Sequence, residues 1–153
     1  MKIKVAWIGK TKDPAIQALT EEYLKRISHY VPVEGITLRD EAGLLESSGL
    51  SARAKKALGS GKSTLVLMDS RGKQLSSEEL AKFLGDYRDR NPLPLVFAIG
   101  GADGFNQETR AAAQFTLSLG KMTVAHGLAR VVLLEQIYRA LTILKGHPYH
   151  CGH

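Results

Sequence analysis

The chain has 153 residues, 44% of them hydrophobic and 24% charged, and its 21 Lys and Arg against 15 Asp and Glu give a formal charge of +6. That length can bury its own core as one domain over 1–153, no apolar run reaches the roughly 18 residues of a membrane span, and a single cysteine, Cys151, excludes an internal disulfide and fits a reducing cytoplasm. The positive excess favours an anionic partner, nucleic acid among them.

Lys2–Ile8 reads as a strand, with Ile3, Val5 and Trp7 alternating against Lys2 and Lys4, a pattern too regular for a signal peptide. After a turn at Gly9-Lys10-Thr11, Asp13-Pro14 looks like an N-cap followed by a first-turn proline. The helix they open runs to about His29, with Ile16, Leu19, Tyr23, Leu24 and Ile27 on one face. Val33–Leu38 is a second strand. From Arg39 to Ser63 the chain is polar and rich in Gly and Ser, with helical potential around 51–58. Thr64–Asp69 is a continuous apolar strand, which places it centrally in a sheet, and Asp69-Ser-Arg-Gly72 has the composition of a turn. Ser76-x-x-Glu79 forms a capping box for a helix with Leu80, Phe83, Leu84 and Tyr87 on its apolar face, ended by Asn91-Pro92.

Leu95–Ile99 is another central strand and runs into Gly100-Gly-Ala-Asp-Gly104. Asn106 can cap a short alanine-rich helix, Phe115–Leu119 makes a last strand, and a final helix extends from about Leu128 to Lys145. Strands alternating with helices point to an α/β fold with a mostly parallel sheet covered on both faces. In the final helix Leu128, Val131, Val132, Leu133, Leu134, Ile137, Tyr138 and Leu141 fill more than one stripe, so one side is expected to meet a second subunit in a homodimer.

Gly59-Ser-Gly-Lys-Ser-Thr64 with Asp69 imitates a phosphate loop and its downstream aspartate. The loop motif needs glycine where Lys56 stands, and it must leave a strand and open a helix, whereas this segment enters a strand. A flexible connector is the better reading. Gly100-Gly-Ala-Asp-Gly104 lacks dinucleotide spacing, but three glycines let a ligand press against main chain. Lys121-Met-Thr-Val-Ala-His126 is a second loop at a strand end, and His126 reads equally well as structural or functional. Glu135 and Arg139 are an i,i+4 pair in a very apolar helix, where charges are costly without a task. His147, His150, Cys151 and His153 match no standard zinc spacing, so no metal is expected.

Taken jointly, Val96-Phe-Ala-Ile-Gly-Gly-Ala-Asp-Gly104, Leu119-Gly-Lys-Met-Thr-Val-Ala-His126, Arg130-Val-Val-Leu-Leu-Glu-Gln-Ile-Tyr-Arg-Ala140 and Pro148-Tyr-His150 resemble the small SPOUT methyltransferases. The nearer resemblance is to the ribosomal RNA large-subunit methyltransferase H family, which methylates N3 of a pseudouridine in 23S rRNA. It covers the whole chain in length and element order and is strongest after Leu95. The resemblance implies a trefoil knot over roughly 95–153 and a pocket for S-adenosylmethionine built largely from backbone. By position that pocket would use Met68, Gly101, Leu119, Gly120, Lys121, Met122, Thr123 and Val124. It also implies that Glu135, Arg139, Tyr149 and His150 line the acceptor side, the tail of one subunit completing the pocket of the other. His150 or Glu135 would accept the N3 proton, Arg139 would orient Glu135 or stabilise charge, and Tyr149 would stack on or hydrogen-bond the base.

Two positions depart from the family pattern. Cys151-Gly152-His153 stands where relatives carry a basic residue after Tyr-His, and Ala125 stands where many carry proline. The first removes a cationic RNA contact unless His153 substitutes when protonated. The implied partner is 23S rRNA, most naturally on an assembled ribosome, and Lys10, Lys12, Arg71 and Lys73 are candidate phosphate contacts. A non-catalytic RNA-binding module and a nucleotide hydrolase built on Gly59–Thr64 are the competing expectations.

Overall fold

The computed structural model of the chain describes residues 1–51, 62–101 and 103–151. The helical potential around 51–58, Lys56, Gly59 and Gly61 of the phosphate-loop imitation, and tail residues 152–153 lie outside the described residues.

Among the described residues five strands, β1 (Ile3–Ile8), β2 (Val33–Leu38), β3 (Thr64–Gln74), β4 (Leu95–Ile99) and β5 (Phe115–Ser118), form one sheet in the order β2-β1-β4-β3-β5. Every pairing is parallel. Among the described residues the helices are α1 (Pro14–Ser28), α2 (Glu41–Ser47), α3 (Ser77–Arg90), α4 (Gln107–Ala112) and α5 (His126–Leu144), with a closing 3-10 turn at Pro148–His150. None of them is long and apolar enough to cross a membrane.

The helix starts follow from local chemistry. Asp13 accepts the Ala15 N–H at 2.9 Å ahead of Pro14, and Asn106 accepts the Thr109 N–H at 2.9 Å. Ser76 and Glu79 exchange both hydrogen bonds of the capping box, at 3.1 and 2.8 Å. Each satisfies a backbone donor that the first helical turn leaves unpaired. Helix α2 was not expected. It is capped by Asp40, which accepts from Gly43 N–H at 2.8 Å, and it buries Leu44 and Leu45.

The core lies on both faces of the sheet. On one side Ile3, Val5, Phe97 and Val66 pack with Ile27 of α1, Leu84 of α3, and Leu134 and Ile137 of α5, all fully buried. On the other, Leu65, Leu67, Val96 and Ala98 meet Leu44, Leu45 and Phe105. Burial on both faces explains why β4 and the 64–68 part of β3 are apolar without alternation.

Two boundaries need correction. Leu119 falls beyond β5, and α5 begins at His126 rather than near Leu128. The larger correction is at 69–72, which is not a free turn. There β3 slips out of register with β5 after Met68↔Leu117 and rejoins it at Lys73↔Leu117 and Gln74↔Ser118. Gly72 allows this, because a Cβ there would stand 2.7–2.8 Å from the backbone of Leu117 and Thr116. A bulge at that point bends the strand and re-aims the residues beside it.

Candidate active site

Met68, Ile99 and Leu117 stand in register across β3, β4 and β5. β4 and β5 end at or next to this level while β3 enters its bulge, and the bulge and the two loops converge on one cleft at the carboxyl edge of the sheet, where open α/β sheets hold ligands. The cleft has a volume of about 550 Å³. Its walls are Met68–Arg71 from the bulge, Ile99–Gly101 and Asp103–Phe105 after β4, and Ser118–Gly120 with Met122–Val124 after β5, closed by His126 and Ala129 of α5.

Much of this wall is main chain. The Gly101 carbonyl accepts the Gly104 N–H at 3.1 Å, which folds the glycine turn tightly, and nothing lies within 4 Å of where a Gly101 Cβ would be. Gly120 has φ +143, a region side chains rarely adopt, and it too faces open space. Ser118 Oγ holds the loop from inside, accepting the Gly120 N–H at 3.0 Å and donating to its carbonyl at 2.8 Å. A ligand can therefore approach peptide groups directly at two places.

Seven of the eight residues expected around the cofactor line the cleft: Met68, Gly101, Leu119, Gly120, Met122, Thr123 and Val124. Lys121 belongs to the same loop, but it is exposed and does not line the wall. His126 does, and its Nε2 is buried without a hydrogen-bond partner among the described residues. One turn along α5, Arg130 is 1% exposed, with its guanidinium 3.9 Å above the Trp7 ring. Burial pushes its pKa below the usual arginine value.

The four residues expected on the acceptor side also come together, but away from that wall. Arg139 reaches Glu135 Oε2 from Nη2 at 2.9 Å and from Nε at 3.2 Å. Tyr149 donates its hydroxyl to Glu135 Oε2 at 3.0 Å, and the Arg139 guanidinium lies 4.8 Å over the Tyr149 ring. Burial first, and the Glu135 carboxylate second, push the Tyr149 phenol up to about 12, so it stays a proton donor near neutral pH.

His150 Nδ1 lies 3.0 Å from Arg139 Nη1, and its Nε2 lies 2.7 Å from Glu78 Oε1. A guanidinium can only donate, so Nδ1 accepts and Nε2–H donates to Glu78. In this arrangement both ring nitrogens of His150 are engaged.

A smaller cleft of about 300 Å³ adjoins the first. It shares Met68, Ser118 and Leu119 with the first and is also lined by Ser77, Leu80, Val132 and Gln136. Gln136 donates to Glu135 Oε1 at 2.9 Å and accepts from Ser77 Oγ at 2.7 Å. Glu78, Gln136, Asp69 and Arg110 were missed in the sequence. The capping box hid Glu78, and Asp69 read as a turn residue. Among the described residues no three His, Cys, Asp or Glu could hold a metal.

A profile of the family described as “Predicted SPOUT methyltransferase” matches residues 1–150. Proteins named ribosomal RNA large subunit methyltransferase H are similar over the full length. That of Koribacter versatilis is 56% identical over 153 residues, covering 100% of both chains. That of Geobacter metallireducens is 44% identical over 152 residues, covering 98% of this chain and 99% of its own. Among solved structures, a probable methylase family protein from Haemophilus influenzae superposes with a TM-score of 0.57 at 12% identity, over 96% of this chain and 69% of that one. The SpoU methyltransferase AviRb from Streptomyces viridochromogenes, in complex with AdoMet, gives a TM-score of 0.51 at 13% identity, over 89% and 56%. At those identities the structures bear on the fold alone.

Proposed function

The chain belongs to the SPOUT methyltransferase family, and from that premise we propose that it methylates N3 of a pseudouridine in 23S rRNA, using S-adenosylmethionine on an assembled ribosome. The observation that carries this reading is the cleft at the strand ends, walled by bare peptide at Gly101 and Gly120. Its volume lies within the roughly 300–1,000 Å³ of small-molecule sites. Bound there, S-adenosylmethionine supplies an electrophilic methyl group on a sulfonium. Met68, Gly101, Leu119, Gly120, Met122, Thr123 and Val124 would hold and orient it, and Lys121 would act from the rim. Positioning of donor and acceptor supplies much of the rate in such a displacement.

The N3 proton must leave, and Glu135 would take it, or His150 once its Nδ1 is released from Arg139. Arg139 keeps the Glu135 carboxylate aimed, and Tyr149, a donor near neutral pH, hydrogen-bonds the base or stacks on it. Ala129, the last α5 residue on the cleft, lies about 9 Å short of Glu135 along the helix at 1.5 Å per residue. We therefore place the acceptor groups in the cleft of a second copy, in a homodimer whose tails exchange. Leu128 and Val132, one turn apart on α5 and 51% and 40% exposed, supply an apolar surface for that contact. The family's trefoil knot is proposed over roughly 95–153.

Calorimetry with S-adenosylmethionine and with ATP tests the enzyme class. Binding of the first alone supports the methyltransferase, whereas binding of neither favours an RNA-binding module and ATP binding a hydrolase. Mass mapping of 23S rRNA from a strain lacking the gene tests the substrate: an unchanged pseudouridine methylation pattern overturns it.

A further inference from the structure

The cleft contains an ion pair that joins two of its walls. Asp69 follows Met68 at the β3 bulge, and Arg110 sits on α4, 41 residues later. Arg110 Nη2 donates to Asp69 Oδ2 at 2.6 Å, while its Nε donates to the Phe105 carbonyl at 3.2 Å. The other carboxylate oxygen of Asp69 accepts the Arg71 N–H at 2.9 Å and Arg71 Nε at 3.3 Å. The Asp69 side chain is 8% exposed and that of Arg110 is 27% exposed, whereas Arg71 is 74% exposed and screened by water.

The position of this pair gives it a task. The β3–β4 ladder ends at Met68↔Ile99, so past that point the bulge and the glycine turn are no longer held by sheet hydrogen bonds to each other. Arg110 spans the gap, gripping the exit of the turn through Phe105 and the bulge through Asp69. Its Nη2 also lies 3.8 Å from where a Gly104 Cβ would stand, beneath the turn. Charge-assisted hydrogen bonds of this kind are shorter and stronger than neutral ones, and the planar guanidinium can make both at once.

We infer that Asp69 and Arg110 are a positioning pair, locking the β3 bulge to the glycine turn and thereby setting how tightly the cleft holds the sulfonium cofactor. The inference rests on the methyltransferase reading above. Both side chains line the cleft, and in this role the pair preorganises two loops without acting on the transferred methyl, so its loss weakens cofactor binding and spares the chemical step.

The test measures S-adenosylmethionine affinity by calorimetry, and turnover at saturating cofactor, for wild type, Asp69→Asn, Arg110→Gln and the double variant. Each single change is expected to weaken binding about tenfold, the scale of one lost charged hydrogen bond. Turnover should stay within about twofold, and the double variant should bind no worse than the weaker single, because a pair acting as a unit is lost once. Arg110→Lys keeps the charge but cannot hold both partners, and should fall between. Unchanged affinity in folded variants, multiplied losses in the double variant, or a fall in turnover with affinity intact would each overturn the pair. So would failure of both Arg110→Gln and Arg110→Lys to fold, which would make the residue purely structural. Wild type that binds no S-adenosylmethionine removes the methyltransferase reading itself, a result separable from all of these.

Discussion

Tyr149 donates its hydroxyl to Glu135, 14 residues earlier, at 3.0 Å, so the end of the chain is fastened to α5 through a carboxylate of the candidate acceptor group. The same carboxylate receives Arg139 and Gln136. Glu135 is thus held by three residues, and the tail's docking and the placement of the candidate acceptor carboxylate are one interaction.

Tyr149→Phe removes that donor while keeping the ring against Tyr138, 4.7 Å away between centroids. Methylation in a ribosome assay should fall about tenfold, with a stability loss near 1 kcal/mol by chemical denaturation. Full activity would mean that the Tyr149 hydroxyl is idle in turnover.

His150→Ala should cut methylation about a hundredfold, the lower range for removal of a general acid–base group. Calorimetry should show S-adenosylmethionine affinity within about twofold of wild type, since His150 is not among the residues proposed to hold the cofactor. Unchanged turnover removes His150 from the mechanism and leaves Glu135 as the proton acceptor.

Asp69 ties stability to acidity. The Arg71 N–H, and next the Arg110 and Arg71 side chains, bring its carboxyl pKa down to about 2 from an ordinary 3.8. A lowered acid contributes stability that is fully present above the unfolded value and is lost as pH falls toward the folded one. Wild type should therefore exceed Asp69→Asn by roughly 1–2 kcal/mol at pH 6, with the gap closing between about pH 4 and pH 2. Denaturation curves at pH 6 and pH 3 that show a constant gap would exclude this origin.

Gly72→Ala should destabilise the fold by about 1–3 kcal/mol, the usual cost of overpacking. The added methyl meets Leu117 and Thr116 backbone, which cannot swing aside as a side chain would. The bulge and the cleft wall should shift with it, so weakened cofactor binding is expected alongside the lowered melting temperature. A variant as stable as wild type would show that the strand can re-form without the close approach.

Features set by near neighbours were legible in the sequence. Asp13, Ser76 and Asn106 cap helices within three residues of themselves, and the glycines at 100–104 announce a turn whatever surrounds them. Features made by distant residues were not. The bulge at 69–72 depends on Gly72 meeting Leu117, and the Arg110 link to Asp69 spans 41 residues. Glu78 reaches His150 across 72 residues, and no local pattern marks it as a partner rather than one more acidic residue in a helix's first turn. Helix α2 was hidden because Gly43, Ser47 and Ser48 give its segment a loop's composition.

The bare peptide at Gly101 and Gly120 has a consequence for inhibition. A compound that grips side chains can be escaped by exchanging them one at a time. A compound that fills the space over these two glycines offers little to exchange: a larger residue at Gly101 would crowd the natural ligand as much as the inhibitor, and one at Gly120 would also meet the strain of φ +143. Resistance would then have to come from elsewhere, through export or altered expression, and point substitutions that preserve activity should be scarce in a selection against such a compound.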